Sequence, residues 1–294
     1  MLFDTHLHLV DRQRLTYPWL SGTPALDRDW SYADYAAQAL PLGITGALHM
    51  EVDVAADQIA AETACVAGLM AAPGSLLRGA ISAARPEAPD FVIWLERQDF
   101  SVVKGVRRVL HVVDDAVSKS PVFRENLRLL GRAGLPFDIC MTQRQLPLAM
   151  ALADACPQTT FVLDHCGVPD MSGGDFAGWA ASITALALRP NLNAKISGIT
   201  AYGGPKWSVE TLRPYVEHVI AAFGWTRVVW GSDSPVCTLH GTLDRWVAAT
   251  VALIAGASAD ERRAFQHENA QRIWRLVQGR NDAAPVSMRF PPAN

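Results

Sequence analysis

Two histidines two residues apart stand near the start of the chain, in Phe3-Asp4-Thr5-His6-Leu7-His8. A lone aspartate ends an apolar run far from them, in Arg227-Val228-Val229-Trp230-Gly231-Ser232-Asp233-Ser234-Pro235. Paired imidazoles can chelate a divalent metal, or hold a water and a substrate oxygen. A carboxylate beside them can take a proton from that water. A strand alternates its side chains, which predicts Asp4, His6 and His8 on one face and Phe3, Thr5 and Leu7 on the other. The run before Asp233 suits a strand buried on both faces. Asp233 then falls at its C-terminal tip, where parallel α/β folds place their chemistry.

Other strand tips carry candidates. In Leu192-Asn193-Ala194-Lys195-Ile196-Ser197 the apolar residues share one face, which predicts that Lys195 and Ser197 point inward. A buried lysine needs a partner, so a structural ion pair competes with a substrate contact. In Leu163-Asp164-His165-Cys166-Gly167 a regular strand cannot turn both Asp164 and His165 inward. His165 is favoured inward, with Asp164 supporting it or anchoring the loop. Arg107, in Val103-Lys104-Gly105-Val106-Arg107-Arg108, could clamp a carboxylate or a lactone carbonyl, and parity does not choose between it and Arg108. His49 suits a core histidine as well as a substrate contact. Trp19 and Trp30, in a long loop over 10–30, could stack on a sugar ring or anchor the loop by packing. His111, His218, His240 and His267 have no strand-tip logic.

The elements that must position these residues alternate along the chain. Strand-like runs fall near 2–8, 44–50, 76–82, 102–109, 135–141, 160–165, 191–197 and 227–232, with Ala-rich helical stretches between most of them. Eight such units predict a closed (β/α)₈ barrel, a TIM barrel, as one domain over 1–280, followed by a Pro-rich tail over 281–294. A length of 294 residues, half of them hydrophobic, is ample for that core. The net charge of −3 and the lack of a basic stripe argue against a nucleic-acid partner. No run approaches a membrane span, so no membrane association is expected. The five cysteines include no CxxC pair, which fits reduced thiols and a cytoplasmic setting. Oligomeric state is not written in the pattern.

The ordered set of motifs resembles the amidohydrolase superfamily, in particular its lactonase branch, which includes L-fucono-1,5-lactonase and 2-pyrone-4,6-dicarboxylate lactonase. The motifs are Asp4-Thr5-His6-Leu7-His8, Tyr17-Pro18-Trp19-Leu20, Gly105-Val106-Arg107, Leu163-Asp164-His165-Cys166-Gly167, Lys195-Ile196-Ser197-Gly198, Gly231-Ser232-Asp233-Ser234-Pro235-Val236-Cys237 and Glu268-Asn269-Ala270. The resemblance implies a hydrolase opening a sugar-derived aldonolactone, similar to L-fucono-1,5-lactone, with water activated at Asp233. It implies His6, His8 and His165 as pocket histidines. Arg107, Lys195, Trp19 and His49 are then the expected substrate contacts. One divalent ion, zinc by donor type, is expected on His6, His8, His165 and Asp233. No second ion is expected, because strand five carries no histidine and Lys104 faces away from Arg107. Members of the branch can work without metal, so the need for the ion stays open. A zinc-dependent decarboxylase of the same superfamily and a non-catalytic metal- or sugar-binding barrel are the alternatives.

Overall fold

A computed structural model describes residues 1–276. The tail expected over 281–294 lies outside the described residues. Eight β-rich runs form strands β1 (Leu2–Leu7), β2 (Ile44–Met50), β3 (Leu77–Ala83), β4 (Val103–Val109), β5 (Phe137–Cys140), β6 (Phe161–Leu163), β7 (Leu192–Ile196) and β8 (Val228–Trp230). They pair in chain order, each parallel to the next. Parallel neighbours need a crossover, and helices such as Ile59–Met70, Pro121–Ala133, Leu146–Ala155, Phe176–Ala187, Val209–Phe223 and Leu243–Leu253 supply it. The expected (β/α)₈ barrel is therefore the architecture observed.

The seam between β1 and the end of β8 completes the barrel. Asp233 N–H donates to the His6 carbonyl at 2.8 Å, and His8 N–H donates to the Ser234 carbonyl at 2.7 Å. Thr5 Oγ1 donates to the Trp230 carbonyl at 2.7 Å. Polar strand ends are thereby satisfied without water. Inside the barrel, Phe3, Leu48, Met50, Ile81, Val162 and Val229 pack with Trp274 from the C-terminal end of the described chain.

One expectation about β1 fails. Phe3 belongs to this inner cluster, while Asp4 accepts from the hydroxyl of Tyr35, in the helix Tyr32–Ala39, at 2.7 Å. The pairing register slips between Asp4 and Leu7, so an irregularity separates Asp4 from the face carrying the two histidines.

The turn after β2 is held by two carboxylates. Val52 N–H donates to Glu62 Oε1 at 2.8 Å and Asp53 N–H donates to Glu51 Oε2 at 2.7 Å. Burial, reinforced by the neighbouring Glu51, pushes the Glu62 carboxyl from 4.5 up to about 8. The folded protein then keeps a proton that the unfolded chain has released between those values. The contribution is full below about pH 4.5 and is lost as pH rises through about 8. Glu62→Gln keeps an acceptor for Val52 and removes that proton. In denaturant titrations the variant should lose stability more slowly than the wild type across this range, by up to about 1.4 kcal/mol per pH unit. Identical slopes would show that Glu62 is ionised in the fold.

Candidate active site

The seam brings His6, His8 and Asp233 into a triangle. Nε2 of His6 lies 3.2 Å from Nε2 of His8. Asp233 Oδ1 lies 3.6 Å from the first and 3.5 Å from the second. Tetrahedral zinc with bonds of about 2.0–2.1 Å separates its ligand atoms by roughly 3.3 Å, so the donor set and its spacing fit such an ion. Asp233 is 3 % exposed and takes the left-handed conformation, φ 55°, which swings its carboxylate over the two rings. The same turn is pinned by Ser232 N–H on Asp4 Oδ1 at 2.8 Å and contains a cis Ser234–Pro235 peptide. His8 is steered by Nδ1, 3.0 Å from the Met50 carbonyl.

Asp164 and His165 enter the site together, against the expectation that only one could. β6 stops at Leu163, and His165, Cys166, Gly167 and Val168 all have positive φ. A strand that ends no longer alternates, so both side chains turn inward and are buried, His165 beside His6 and Asp164 against Lys195. His165 Nδ1 meets Ser197 Oγ at 2.9 Å, and its ring centroid lies 4.5 Å from that of His6. Burial lowers the His165 pKa below the usual imidazole value, which keeps the ring neutral. Gly198 makes this approach possible. Its φ is +62°, and a Cβ there would sit 2.4 Å from His165 Nδ1 and 3.0 Å from Asp233 Oδ2.

The cations lie beneath the triangle. Lys195 points inward as expected, but its ammonium is completely buried and surrounded. It lies 2.5 Å from Asp138 Oδ1, 2.9 Å from Asp164 Oδ1 and 3.2 Å from His6 Nδ1. It therefore supports His6 from below and does not face the mouth, where a substrate contact was expected. Burial pushes the Asp138 carboxyl up to about 7, with Lys195 opposing. Burial acts upward on Asp164 too, but Lys195 and His6 hold its carboxyl well below the usual range. Of the two arginines between which parity did not choose, Arg107 is the one beside His6. Its Nε donates to Glu51 Oε1 at 2.6 Å and its Nη2 to the Glu51 carbonyl at 2.7 Å, while Nη1 lies 3.4 Å from His6 Nε2. Arg108 turns instead to Glu87, at 2.9 Å.

Asp138 and Glu51 were missed in the sequence. A charged residue inside the apolar run Phe137-Asp138-Ile139 was the available signal for the first, since a carboxylate there must find a cation. Of the other expected contacts, His49 is buried, and burial lowers its pKa to about 3, making it a neutral core imidazole near His8 and Arg107. Trp19 is 37 % exposed and donates Nε1–H to the Val52 carbonyl at 2.8 Å, which ties the first loop to the end of β2. The ring of Trp30 carries the Arg28 guanidinium 3.9 Å from its centroid. Lys104 donates to the Phe100 carbonyl at the far end of β4, remote from Arg107.

A second group of potential ligands comprises Cys140, Asp164 and His165. Cys140 Sγ lies 3.3 Å from His111 Nδ1, and burial raises its thiol pKa, so it is a protonated thiol. A cavity of about 650 Å³ is lined by Thr142, Gln143, Arg144, Asp170, Ser172 and Tyr202 among others. Its lining residue Tyr202 has a ring centroid 6.1 Å from that of His165, which in turn packs on His6. Arg144 is neutralised by a forked pair with Asp115, at 2.7 and 3.2 Å.

The amidohydrolase family model matches residues 3–276. A protein from Sinorhizobium fredii known as y4mH is 30 % identical over 94 % of this chain and 98 % of its own length. L-fucono-1,5-lactonase of Burkholderia multivorans is 28 % identical over 93 % of this chain and 95 % of its own. L-fucono-1,5-lactonase of Burkholderia ambifaria is 34 % identical over 47 % and 48 % of the two chains. An amidohydrolase structure from Burkholderia multivorans with bound zinc superposes with a TM-score of 0.85 at 23 % identity, covering 94 % of this chain and all of that one. A 2-pyrone-4,6-dicarboxylic acid hydrolase structure from Pseudomonas putida gives 0.73 at 22 % identity, covering 95 % and 98 %. With the matched family spanning nearly every described residue, and with its histidines and aspartate meeting at the mouth of an eight-stranded barrel, the chain belongs to the amidohydrolase family.

Proposed function

We propose that this protein is a lactonase that opens the ring of a neutral, sugar-derived aldonolactone similar to L-fucono-1,5-lactone. The observation that carries the reading is the buried Asp233 carboxylate held against two imidazoles, near a cavity whose arginine is already paired. A lactone is an activated ester and needs less assistance than an amide. Asp233 takes a proton from the attacking water as the water oxygen bonds to the carbonyl carbon. The proton taken by Asp233 passes to the ring oxygen as its bond to that carbon breaks, relayed by His165, which Ser197 aligns within 4.8 Å of Asp233. Arg107, charged and fixed by Glu51, offsets negative charge developing near the triangle.

His6, His8 and Asp233, with His165 in reach, are the residues that would hold a divalent ion, and zinc suits these donors best. Such an ion would acidify a water and polarise a carbonyl. For an ester as activated as a lactone, Asp233 and the cations below it suffice.

The pairing of the arginines supports a neutral substrate over a dicarboxylate. Arg85, Arg107, Arg108 and Arg144 each face a carboxylate, on Asp53, Glu51, Glu87 and Asp115 in turn. Asp170 and Asp175 add negative charge to the cavity wall, and Gln143, Ser172 and Thr142 offer groups that match sugar hydroxyls. Asp233→Asn is nearly isosteric and removes the base. It should lower kcat by about 10² to 10⁴ with an unchanged melting temperature. Near-native turnover would move the base elsewhere, with His165 next in line. In a pH-indicator screen, neutral aldonolactones should be hydrolysed and 2-pyrone-4,6-dicarboxylate should not. The reverse preference would overturn the substrate class.

A further inference from the structure

A short row of hydrogen bonds crosses the site, and its two ends have only one possible sense. An ammonium only donates and a carbonyl only accepts. Lys195 Nζ lies 3.2 Å from His6 Nδ1, His6 Nε2 lies 3.2 Å from His8 Nε2, and His8 Nδ1 lies 3.0 Å from the Met50 carbonyl. The carbonyl requires a proton on His8 Nδ1, which leaves Nε2 of a neutral His8 bare. Lys195 requires a bare Nδ1 on His6, which puts the proton of a neutral His6 on Nε2. These two requirements, set at opposite ends, meet between the rings as one donor facing one acceptor.

The other proton position on His6 is served less well. With the proton on Nδ1, its acceptor is Asp164 Oδ1 at 3.5 Å, and the donor to Nε2 is Arg107 Nη1 at 3.4 Å. Both exceed the range of strong hydrogen bonds, and both are longer than the 3.2 Å contacts that they replace. Lys195 would also lose its hydrogen bond to His6, keeping the one to Asp138 Oδ1 and the ion pair with Asp164 at 2.9 Å. Yet this second form is the one that bares Nε2 of both rings toward Asp233, as a metal requires.

We propose that Lys195 holds His6 with its proton on Nε2, so that a divalent ion can take His6 only when that proton moves to Nδ1 and the Lys195–His6 hydrogen bond breaks. His6 stays neutral throughout: the proton leaves Nε2, is regained at Nδ1 and is donated to Asp164. Lys195 is thus a positioning residue that biases the triangle towards a hydrogen-bonded base and away from a metal centre. This bias rests on His6, His8 and Asp233 as the donor set and is independent of the substrate.

Long-range nitrogen–hydrogen correlation spectra of the full-length, metal-free protein labelled with ¹⁵N-histidine read the tautomer directly. The His6 signals are identified by their loss in His6→Gln. The expected result is a protonated Nε2 and a bare Nδ1, reversed by saturating zinc. A proton on His6 Nδ1 in the metal-free protein would overturn the proposal. Lys195→Met should shift the His6 proton to Nδ1 and tighten zinc binding in equilibrium dialysis by on the order of 10-fold, as the binding-competent form becomes the main one. Unchanged or weaker binding by the folded variant would overturn the proposal. So would tighter binding with the proton still on Nε2, because only a charge effect would then remain. If the variant does not fold, the spectrum of the native protein decides. Neither measurement uses a lactone, so failure of the lactonase reading and failure of this one are distinguishable.

Discussion

Two backbone hydrogen bonds at the barrel seam, Asp233 to His6 and His8 to Ser234, govern everything the site can do. β8 is three residues long, and the turn after it serves as the continuation that β1 needs for a partner. The residues completing the barrel are therefore also the candidate chemical groups. Asp233 cannot move relative to the two histidines without opening the sheet. Fixed donors and acceptors need no rearrangement during reaction, which is the main advantage of a preorganised site. Gly198 and Gly231 serve the same closeness: a Cβ on Gly231 would lie 2.7 Å from that of His6.

Below the triangle the structure solves a different problem. Lys195, Asp138, Asp164 and Arg107 are ionisable groups in a buried interior, where an isolated ion is too costly to persist. The solution is reciprocal pairing: Lys195 between two carboxylates and beside His6, Arg107 across Glu51 with one nitrogen near His6. The network sets two cations beneath the triangle, each matched by carboxylates.

The barrel was legible because its strands are short apolar runs at regular intervals, and burial on both faces leaves little else for them to be. His6, His8 and Asp233 were legible because each is polar at the end of such a run. Departures from regular strand geometry were not. The register slip in β1 separates Asp4 from the histidines, and the left-handed residues from His165 to Val168 admit Asp164 as well as His165. Both depend on backbone conformation that a period of two does not encode. Lys195 was read correctly as inward. Its depth was not, because that depends on Asp138, a partner 57 positions away.

The central claim is that lactone carbonyl carbon, attacking water and Asp233 meet above the His6–His8 edge. A crystal structure with a non-hydrolysable aldonolactam, the ring nitrogen replacing the lactone oxygen, puts it to the test. The lactam carbonyl carbon should lie over the triangle, within one water of Asp233, with ring hydroxyls directed to Gln143, Asp170 or Ser172. A lactam bound elsewhere, or bound with its carbonyl turned away from Asp233, would refute that placement.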